Sequence, residues 1–288
     1  PIQILSVLVR PFSKPAFRAI NRWCAASIWG WWAWMAEHQN GLELRFHGDP
    51  LPGPEDALIL PNHQSMADVM VILCFGRRVG RIGDLKWFVK DPVKWVPGPG
   101  WGMKFLDCVY VKRDWAKDAD SIRRVFGKYV QERIPISLVS FLEGTRRTPA
   151  KQARAVAFAE ERGLEPPRHT LVPRTKGFLA TLDGLGEHLD AVYDMTIVYP
   201  DGVPSLLDCF MMRVPRVDVY FRRFPMSVVP SGRDARDAWV RALFREKDAL
   251  VGGFSATSGF PVLSVPAWRT GDEDALRRTS MDDLGSAC

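Results

Sequence analysis

Short apolar runs alternate with stretches of helical periodicity along most of this chain. Short apolar or alternating runs predict strands at residues 42–46, 57–60, 86–89, 108–111, 136–141, 195–199 and 217–221. Apolar residues at helical spacing predict helices at residues 69–75, 115–131, 152–163, 178–185 and 233–250. This alternation predicts an α/β fold: a single domain whose central, mostly buried mixed sheet is flanked by helices. The proline- and glycine-rich residues 96–102 predict a bend without regular structure.

The first 38 residues combine a basic pattern with a tryptophan-rich apolar stretch. Four cations recur at four-residue spacing and predict one basic helical face: Arg10, Lys14, Arg18 and Arg22. Residues 23–36 then contain five tryptophans and no charged side chain. A cationic face joined to such a stretch is typical of an amphipathic helix that lies in the headgroup region of a membrane or dips into it. The alternative is a helix that packs on the protein's own core.

These patterns predict three parts, which are N-terminal membrane-associating helices at residues 1–38, a main domain at 39–265 and a loosely ordered tail at 266–288. No uncharged apolar run of about 18 residues is present, so we expect no certain membrane-spanning helix in this chain. The chain begins with Pro1 rather than Met, which leaves open a further segment upstream, including a membrane span.

The composition describes an ordinary folded chain of 288 residues, with 47% hydrophobic and 25% charged residues. The net charge of +6 and the pI near 9.2 predict an anionic partner, which is nucleic acid, a membrane surface or a phosphorylated substrate. Nucleic acid is disfavoured, because the aromatic residues cluster in one apolar stretch. The five cysteines form no C-x-x-C pair and the histidines lack metal spacing, so we expect reduced thiols, a cytoplasmic setting and no metal.

The strongest chemical signal lies where the predicted strand at 57–60 meets the predicted helix at 69–75, because the connection contains His63 and Asp68. Loops at the carboxyl ends of strands carry the chemistry of α/β folds, and a neutral imidazole there can take a proton from a hydroxyl. Asp68 can orient that imidazole only if His63 lies in the turn and Asp68 in the first helical turn. The alternative is a helix cap, since Ser65-x-x-Asp68 ahead of an apolar run is also a capping-box pattern.

Three clusters of polar and basic residues follow other predicted strands, and they are Lys112-Arg113, Glu143-Gly144-Thr145-Arg146 and Arg174-Thr175-Lys176. Arginine binds phosphate through two N–H groups, and backbone N–H groups near a glycine add donors. Taken singly, such clusters are usually solvated loop charges. If the strand ends share one edge of the sheet, the clusters predict a phosphate site beside His63.

Four motifs, in this order along the chain, resemble those of the glycerolipid acyltransferases of the 1-acylglycerol-3-phosphate acyltransferase family. They are Asn62-His63-x4-Asp68, Lys112-Arg113, Phe141-Leu142-Glu143-Gly144-Thr145-Arg146 and Val172-Pro173. The resemblance covers about residues 40–250 and departs from many members at Leu142, where they have proline. Further similarity to the branch that includes lysocardiolipin and lysophosphatidylinositol acyltransferases and bacterial relatives lies at residues 101–118, at 171–178 and in Glu246-Lys247-Asp248.

This resemblance implies an acyltransferase domain at residues 39–265 and a role for each motif residue. His63 would be the general base on an acceptor hydroxyl, and Asp68 would orient it. Six residues would hold or neutralise the acceptor's phosphate: Glu143, Gly144, Thr145, Arg146, Lys112 and Arg113. Four further positions would have supporting roles: Pro173 in the wall of the acyl or donor site, and Arg174, Lys176 and Asn62. No covalent enzyme intermediate is implied, because a thioester is already activated for direct attack.

The implied reaction moves a fatty acyl group from acyl-CoA or acyl carrier protein to the free hydroxyl of 1-acylglycerol-3-phosphate. The product would be phosphatidic acid, in phospholipid biosynthesis, with no cofactor beyond the thioester co-substrate. The lysophospholipid acceptor would come from a membrane, at its cytoplasmic face. The alternatives are another lysophospholipid acceptor, a thioester hydrolase and a non-catalytic module that docks on anionic headgroups. The intact His63 and Asp68 argue against the last of these, because docking needs no histidine–carboxylate pair.

Overall fold

A computed structural model describes residues 2–112, 115–205, 207–208, 211, 213–214, 216–255 and 259–261. The strands in this described part are β1 Glu43–Gly48, β2 Ala57–Pro61, β3 Leu85–Lys90, β4 Val109–Val111, β5 Ser137–Val139, β6 Ala191–Val198 and β7 Arg216–Pro225. They form one seven-stranded sheet in the order β1-β7-β6-β2-β5-β3-β4. Strands β6 and β7 are antiparallel and the other neighbouring pairs are parallel. The predicted single α/β domain with a mixed sheet is therefore confirmed.

Helices cover both faces of the sheet, as the sequence predicts. Those that the structure describes are α1 Ile2–Leu5, α2 Lys14–His38, α3 Ala67–Arg78, α4 Pro99–Phe105, α5 Trp115–Gln131, α6 Pro149–Glu161, α7 Thr175–Leu185 and α8 Arg233–Gly253. Helices α2 and α3 contribute to the apolar core on one face of the sheet. Helices α5, α7 and α8 contribute to the core on the other face.

Strand β2 lies in the middle of the sheet and is buried on both sides. Its residues Ala57 to Leu60 have no exposed surface. Ala57 and Ile59 belong to one core cluster, and Leu58 and Leu60 belong to the other. This double burial explains why the strand reads as a continuous apolar run rather than as an alternating one. It also fixes the carboxyl end of β2, and hence the turn that follows, firmly within the fold.

Two helices that begin with a proline cover residues that the sequence does not predict as helical. Helix α4 begins at Pro99, so the prediction of a bend throughout residues 96–102 is wrong beyond Gly98. Proline suits the first turn of a helix because the N–H group it lacks has no partner there. A Cβ atom at Gly100 would lie 1.9 Å from the Val93 carbonyl oxygen, so only glycine fits at that point. Helix α6 begins at Pro149 rather than near residue 152.

Helix α2 packs a narrow face of mainly small residues against the domain and leaves four of its five tryptophans exposed, while Trp29 packs against the core. The buried face includes Cys24, Ala25, Ala33 and Ala36. The exposed tryptophans are Trp23 (61%), Trp31 (55%), Trp32 (40%) and Trp34 (37%). The inner face therefore packs on the protein's own core, as the alternative interpretation of the sequence holds. The outer face remains available for contact with another surface.

The predicted basic face on the N-terminal segment is largely turned towards the domain, because three of its four cations, Lys14, Arg18 and Arg22, lie within 4 Å of acidic side chains. Arg18 pairs with Glu132, and its Nε lies 3.7 Å from Asp107. The Arg22 guanidinium lies 2.5 Å from the buried Asp84 carboxylate. The same four-residue spacing that predicts a lipid-binding stripe thus directs two arginines onto the protein. Helical spacing identifies a shared face but not what that face contacts.

Among the residues that the structure describes, no helix has the length and apolarity needed to cross a membrane. The predicted loosely ordered tail, residues 266–288, lies outside the described residues. The predicted division of the chain at residues 38 and 265 stays a prediction.

Candidate active site

The turn between β2 and α3 brings His63 and Asp68 together. Strand β2 ends at Pro61 and α3 begins at Ala67, so Asp68 lies in the first helical turn and His63 lies ahead of it. The distance from His63 Nδ1 to Asp68 Oδ2 is 2.9 Å. Asp68 is fully buried, and the His63 side chain is 14% exposed. Asp68 can therefore orient His63, because His63 lies in the turn and Asp68 lies in the first helical turn, as the sequence analysis requires.

Asp68 also accepts hydrogen bonds from the backbone of the turn. Its Oδ2 atom accepts from the N–H groups of Gln64 (2.7 Å) and Ser65 (3.0 Å). The cap and the orienter are therefore not alternatives, because one carboxylate serves both. Since a carboxylate only accepts hydrogen bonds, the proton of a neutral His63 imidazole lies on Nδ1. The lone pair is then on Nε2, which is the arrangement that a general base requires.

Tyr199 completes the set of donors around Asp68 and was missed by the sequence reasoning. Its hydroxyl donates to Asp68 Oδ1 over 2.5 Å. Tyr199 follows β6, which is the neighbour of β2 in the sheet, so its only sequence signal is a polar group at a strand end. The predicted neighbour Asn62 is fixed at the same end of β6. Its side chain accepts from the Ile197 N–H at 2.7 Å and donates to the Ile197 carbonyl at 2.9 Å.

Glu143 is buried beneath the site rather than directed into it. Its side chain is 3% exposed, and its two oxygens accept from the N–H groups of His63 (2.9 Å) and Leu171 (3.2 Å). Burial raises the pKa of Glu143 to about 8, and the His63 N–H opposes this shift. The resemblance predicts a role for Glu143 in holding phosphate, but the structure places its carboxyl group against the backbone of the His63 turn.

Cations gather around the loop that follows β5. Gly144 has φ of +70°, and a Cβ atom there would lie 3.0 Å from the Arg174 side chain, so glycine lets that side chain cross the loop. Lys151 Nζ contacts Thr145 Oγ1 at 2.5 Å and the Arg146 carbonyl at 3.2 Å. The sequence reasoning missed Lys151, which lies in the first turn of α6. The Arg146 side chain itself is exposed.

The remaining predicted residues lie around this centre at different distances. The Arg174 N–H donates to the Leu142 carbonyl at 2.8 Å, so half-buried Pro173 lies beside the Glu143 loop. Lys176 is exposed on the first turn of α7. Lys112 is exposed at the end of β4, three strand spacings from β2, which is roughly 14 Å across the sheet. Arg113 lies outside the described residues.

An open groove of about 730 Å³ borders the His63 turn. Gln64 and Arg147 line the end nearest to His63, whose carbonyl accepts from the Arg147 N–H at 2.8 Å. Apolar side chains line much of its length, which are Pro149, Ala153, Val156, Ala157 and Val203, and they are interspersed with Thr148, Gln152 and Glu160. Across the residues that the structure describes, no group of three or more histidine, cysteine, aspartate or glutamate side chains is placed to hold a metal ion.

Replacing Glu143 with Gln should flatten the pH dependence of stability. The folded-state pKa near 8 exceeds the ordinary value of 4.5, so the folded protein retains a proton that the unfolded chain releases. Its contribution to stability is therefore present below about pH 4.5 and is lost as pH rises to about 8. The free energy of unfolding in urea, measured from about pH 5 to about pH 8, should fall less in Glu143→Gln than in the wild type. Exposed Glu160→Gln is the control, and parallel curves for Glu143→Gln and wild type would contradict the assignment.

Comparison with known proteins identifies the family. The sequence model described as Acyltransferase matches residues 43–199, and the one described as Acyltransferase C-terminus matches residues 208–281. The 1-acyl-sn-glycerol-3-phosphate acyltransferase 3 of Arabidopsis thaliana is 31% identical over 268 residues, which are 91% of this chain and 71% of that protein. The corresponding acyltransferase delta of Rattus norvegicus is 29% identical over 265 residues, which are 90% of this chain and 70% of that protein.

The fold has a counterpart among solved structures. The crystal structure of the 1-acyl-sn-glycerophosphate acyltransferase of Thermotoga maritima matches with a TM-score of 0.52 and 13% identity, covering 88% of each chain. At that identity the likeness concerns the fold, whereas the family model and the curated relatives concern the sequence. The α/β domain built around the His63 turn therefore belongs to the acyltransferase family, and the chain is an acyltransferase enzyme.

Proposed function

We propose that this acyltransferase moves a fatty acyl group from an acyl thioester to the free hydroxyl of 1-acylglycerol-3-phosphate and forms phosphatidic acid. The observation that carries the proposal is the His63–Asp68 pair, held in a turn beside a loop that gathers Arg146, Lys151 and Arg174. A base and a phosphate-binding loop are the two parts that this acceptor needs. The acceptor named for the Arabidopsis and rat relatives supports the same substrate.

In the proposed reaction, His63 Nε2 takes the proton of the acceptor hydroxyl as its oxygen attacks the thioester carbonyl carbon. Asp68, bonded to Nδ1, stabilises the imidazolium that forms. The new C–O bond replaces the C–S bond as the tetrahedral intermediate collapses. The imidazolium then returns its proton to the leaving thiolate, so that a free thiol and an ester are the products. The donor is acyl-CoA or acyl carrier protein, and neither a metal nor a further cofactor takes part.

The acceptor's phosphate fits the loop that follows β5. Arg146 and Arg174 supply planar N–H donors that can bind two phosphate oxygens each, and Lys151 adds a point charge. The backbone and hydroxyl of Gly144 and Thr145 lie between these cations. Lys112, with Arg113 beside it in sequence, follows a strand two spacings from β5, about 10 Å away. That position suits a cation that approaches the phosphate from the side opposite α6.

The proposal is tested by giving the purified protein labelled acyl-CoA or acyl carrier protein with a panel of lysophospholipids, and by identifying products by mass. We expect phosphatidic acid from 1-acylglycerol-3-phosphate as the main product. His63→Ala should lower turnover by about 100-fold or more, the range that a general base contributes, with little change in acceptor binding. His38→Ala, a change at an exposed histidine of α2, is the matched control.

Other outcomes separate the alternatives. Preferred transfer to a different lysophospholipid would indicate an enzyme of phospholipid remodelling. Release of free fatty acid at the same rate with and without acceptor would indicate a thioester hydrolase. Near wild-type turnover in folded His63→Ala protein would remove His63 from the mechanism.

The apolar groove beside the turn is where we place the acyl chain of the acceptor. Its cationic end at Arg147 adjoins the proposed phosphate loop, and its apolar side chains continue along α6. A lysophospholipid has the same order of an anionic head followed by an apolar chain. The groove thus matches the acceptor in its order, a cationic end followed by a mainly apolar length.

Ala157→Trp should narrow the groove away from the head and select against long acyl chains. We expect kcat/KM to fall at least about 10-fold for long-chain 1-acylglycerol-3-phosphate and much less for short-chain acceptors, since each excluded methylene forfeits roughly 0.8 kcal/mol of burial. Arg154→Trp, at an exposed position of α6 outside the groove, is the control. Equal loss at every acceptor length, or a shift in donor preference alone, would refute the placement.

We place the enzyme on the cytoplasmic face of a membrane. The exposed tryptophans of α2 and the exposed apolar residues Ile4, Leu5, Leu8 and Phe12 supply an N-terminal apolar surface. Tryptophan favours the membrane interface, where the acceptor resides. Cys24, Cys74 and Cys108 are free thiols, which suits a reducing compartment.

Because Arg18 and Arg22 are paired within the domain, vesicle binding should depend more on tryptophan than on charge. We expect high salt to leave most of the binding intact, since screening acts on ionic attraction and not on apolar insertion. The double variant Trp23→Ala/Trp31→Ala should sediment poorly with phospholipid vesicles. Val130→Ala on α5 is the control for loss of an exposed apolar side chain. If the double variant sediments as well as the wild type does, the membrane contact lies elsewhere.

A further inference from the structure

Three consecutive residues of α8 each contact a different part of the protein. These residues are Glu246, Lys247 and Asp248. The fully buried Lys247 reaches the carboxyl end of β2 and the middle of β6. Its ammonium donates to the carbonyl groups of Met195 at 2.7 Å and Leu60 at 3.2 Å, and it lies 2.5 Å from an Asp194 oxygen. Leu60 precedes His63 by three positions in the chain. Lys247 therefore connects α8 to the strand that leads into the His63 turn.

Lys247 belongs to a buried set of charges in which the signs balance. Asp194 also accepts from Arg222 at 2.8 Å, and Arg222 pairs with Glu246. Burial lowers the pKa of Lys247, and the Asp194 carboxylate opposes that shift. Apolar side chains of similar size often stabilise a core as well as such an ionic set does. A set of this kind directly beneath a catalytic turn therefore calls for a role beyond stability.

Asp248 holds a second segment that leads to the same turn. Its carboxylate accepts from the N–H groups of residues 168–170, at 3.1, 2.7 and 2.7 Å, and from the Thr170 hydroxyl at 2.8 Å. The next residue, Leu171, donates its N–H group to Glu143 Oε2. The other oxygen of Glu143 accepts from His63. An unbroken series of contacts thus runs from Asp248 to the His63 backbone.

We propose that Lys247 and Asp248 are positioning residues for the reaction and fix the His63 backbone from two directions. Lys247 acts through the Leu60 carbonyl and the end of β2. Asp248 acts through the 168–170 segment and Glu143. Neither side chain touches substrate, and the catalytic consequence rests on the function proposed above for His63. A displacement of about 1 Å at a catalytic group can lower a rate by about 100-fold, so loosening either route should lower turnover.

Asp248 offers the sharper test, because Asn keeps an accepting oxygen that Ala lacks. We expect Asp248→Ala to lower kcat by about 10- to 100-fold while KM for acceptor and thioester changes less than about threefold. Asp248→Asn should recover much of kcat. Asp234→Ala, an exposed change in the first turn of α8, should behave as the wild type does. Unchanged kcat in Asp248→Ala, or a loss confined to KM, would overturn the proposal.

Amide hydrogen exchange supplies a readout that does not depend on activity. Asp248→Ala should speed exchange at the N–H groups of Leu171 and His63, and Asp234→Ala should not. The double variant Lys247→Met/Asp194→Asn removes both charges of the pair and should speed exchange in the His63 turn. Exchange unchanged in these variants refutes the proposal even if the enzyme uses another acceptor. If exchange is faster in these variants but the wild-type protein transfers no acyl group, the positioning role stands and the proposed function is refuted.

Discussion

The site depends on one buried carboxylate, that of Asp68. It accepts hydrogen bonds from the His63 imidazole, from two backbone N–H groups of the turn and from the Tyr199 hydroxyl. A buried charge without such donors costs several kcal/mol, so the four donors and the carboxylate require one another. The turn takes its shape around Asp68, and that shape fixes both the position and the tautomer of His63. The hydrogen bonds that shape the turn are therefore the ones that also orient His63.

A second buried carboxyl group, that of Glu143, supports the turn from below under different physical conditions. Asp68 has four donors at the beginning of a helix, whereas Glu143 has two backbone donors, and burial raises its pKa to about 8. Glu143 joins the segments around His63 and Leu171, which come from distant parts of the chain. Lys247 and Asp248 connect this support to α8. The candidate active site is thus assembled from segments at β2, β5, β6 and α8.

The N-terminal helix shows how one amphipathic element can serve two surfaces. Its small residues allow close packing on the domain, and its arginines pair with acidic groups of the domain. Four of its five tryptophans remain on the outer face, and Trp29 packs against the core. Because Arg18 and Arg22 are already paired, the apolar outer face is the principal surface for the proposed contact with lipid. At the membrane proposed above, the protein would therefore associate through insertion more than through charge.

The sequence alone determined the α/β class, the buried strand β2 and the place of His63 and Asp68 at its end, because hydrophobic period and capping chemistry are local properties. It also determined the family, since four ordered motifs survive in the chain. Only the tertiary structure decided what Glu143, Arg18, Arg22 and Lys247 contact. Glu143 meets partners 80 and 28 positions away, and Lys247 meets Leu60 across 187 positions. A charged side chain reads the same in sequence whether it faces water, a substrate or a buried backbone group. Its partner is fixed only when the sheet brings distant segments together.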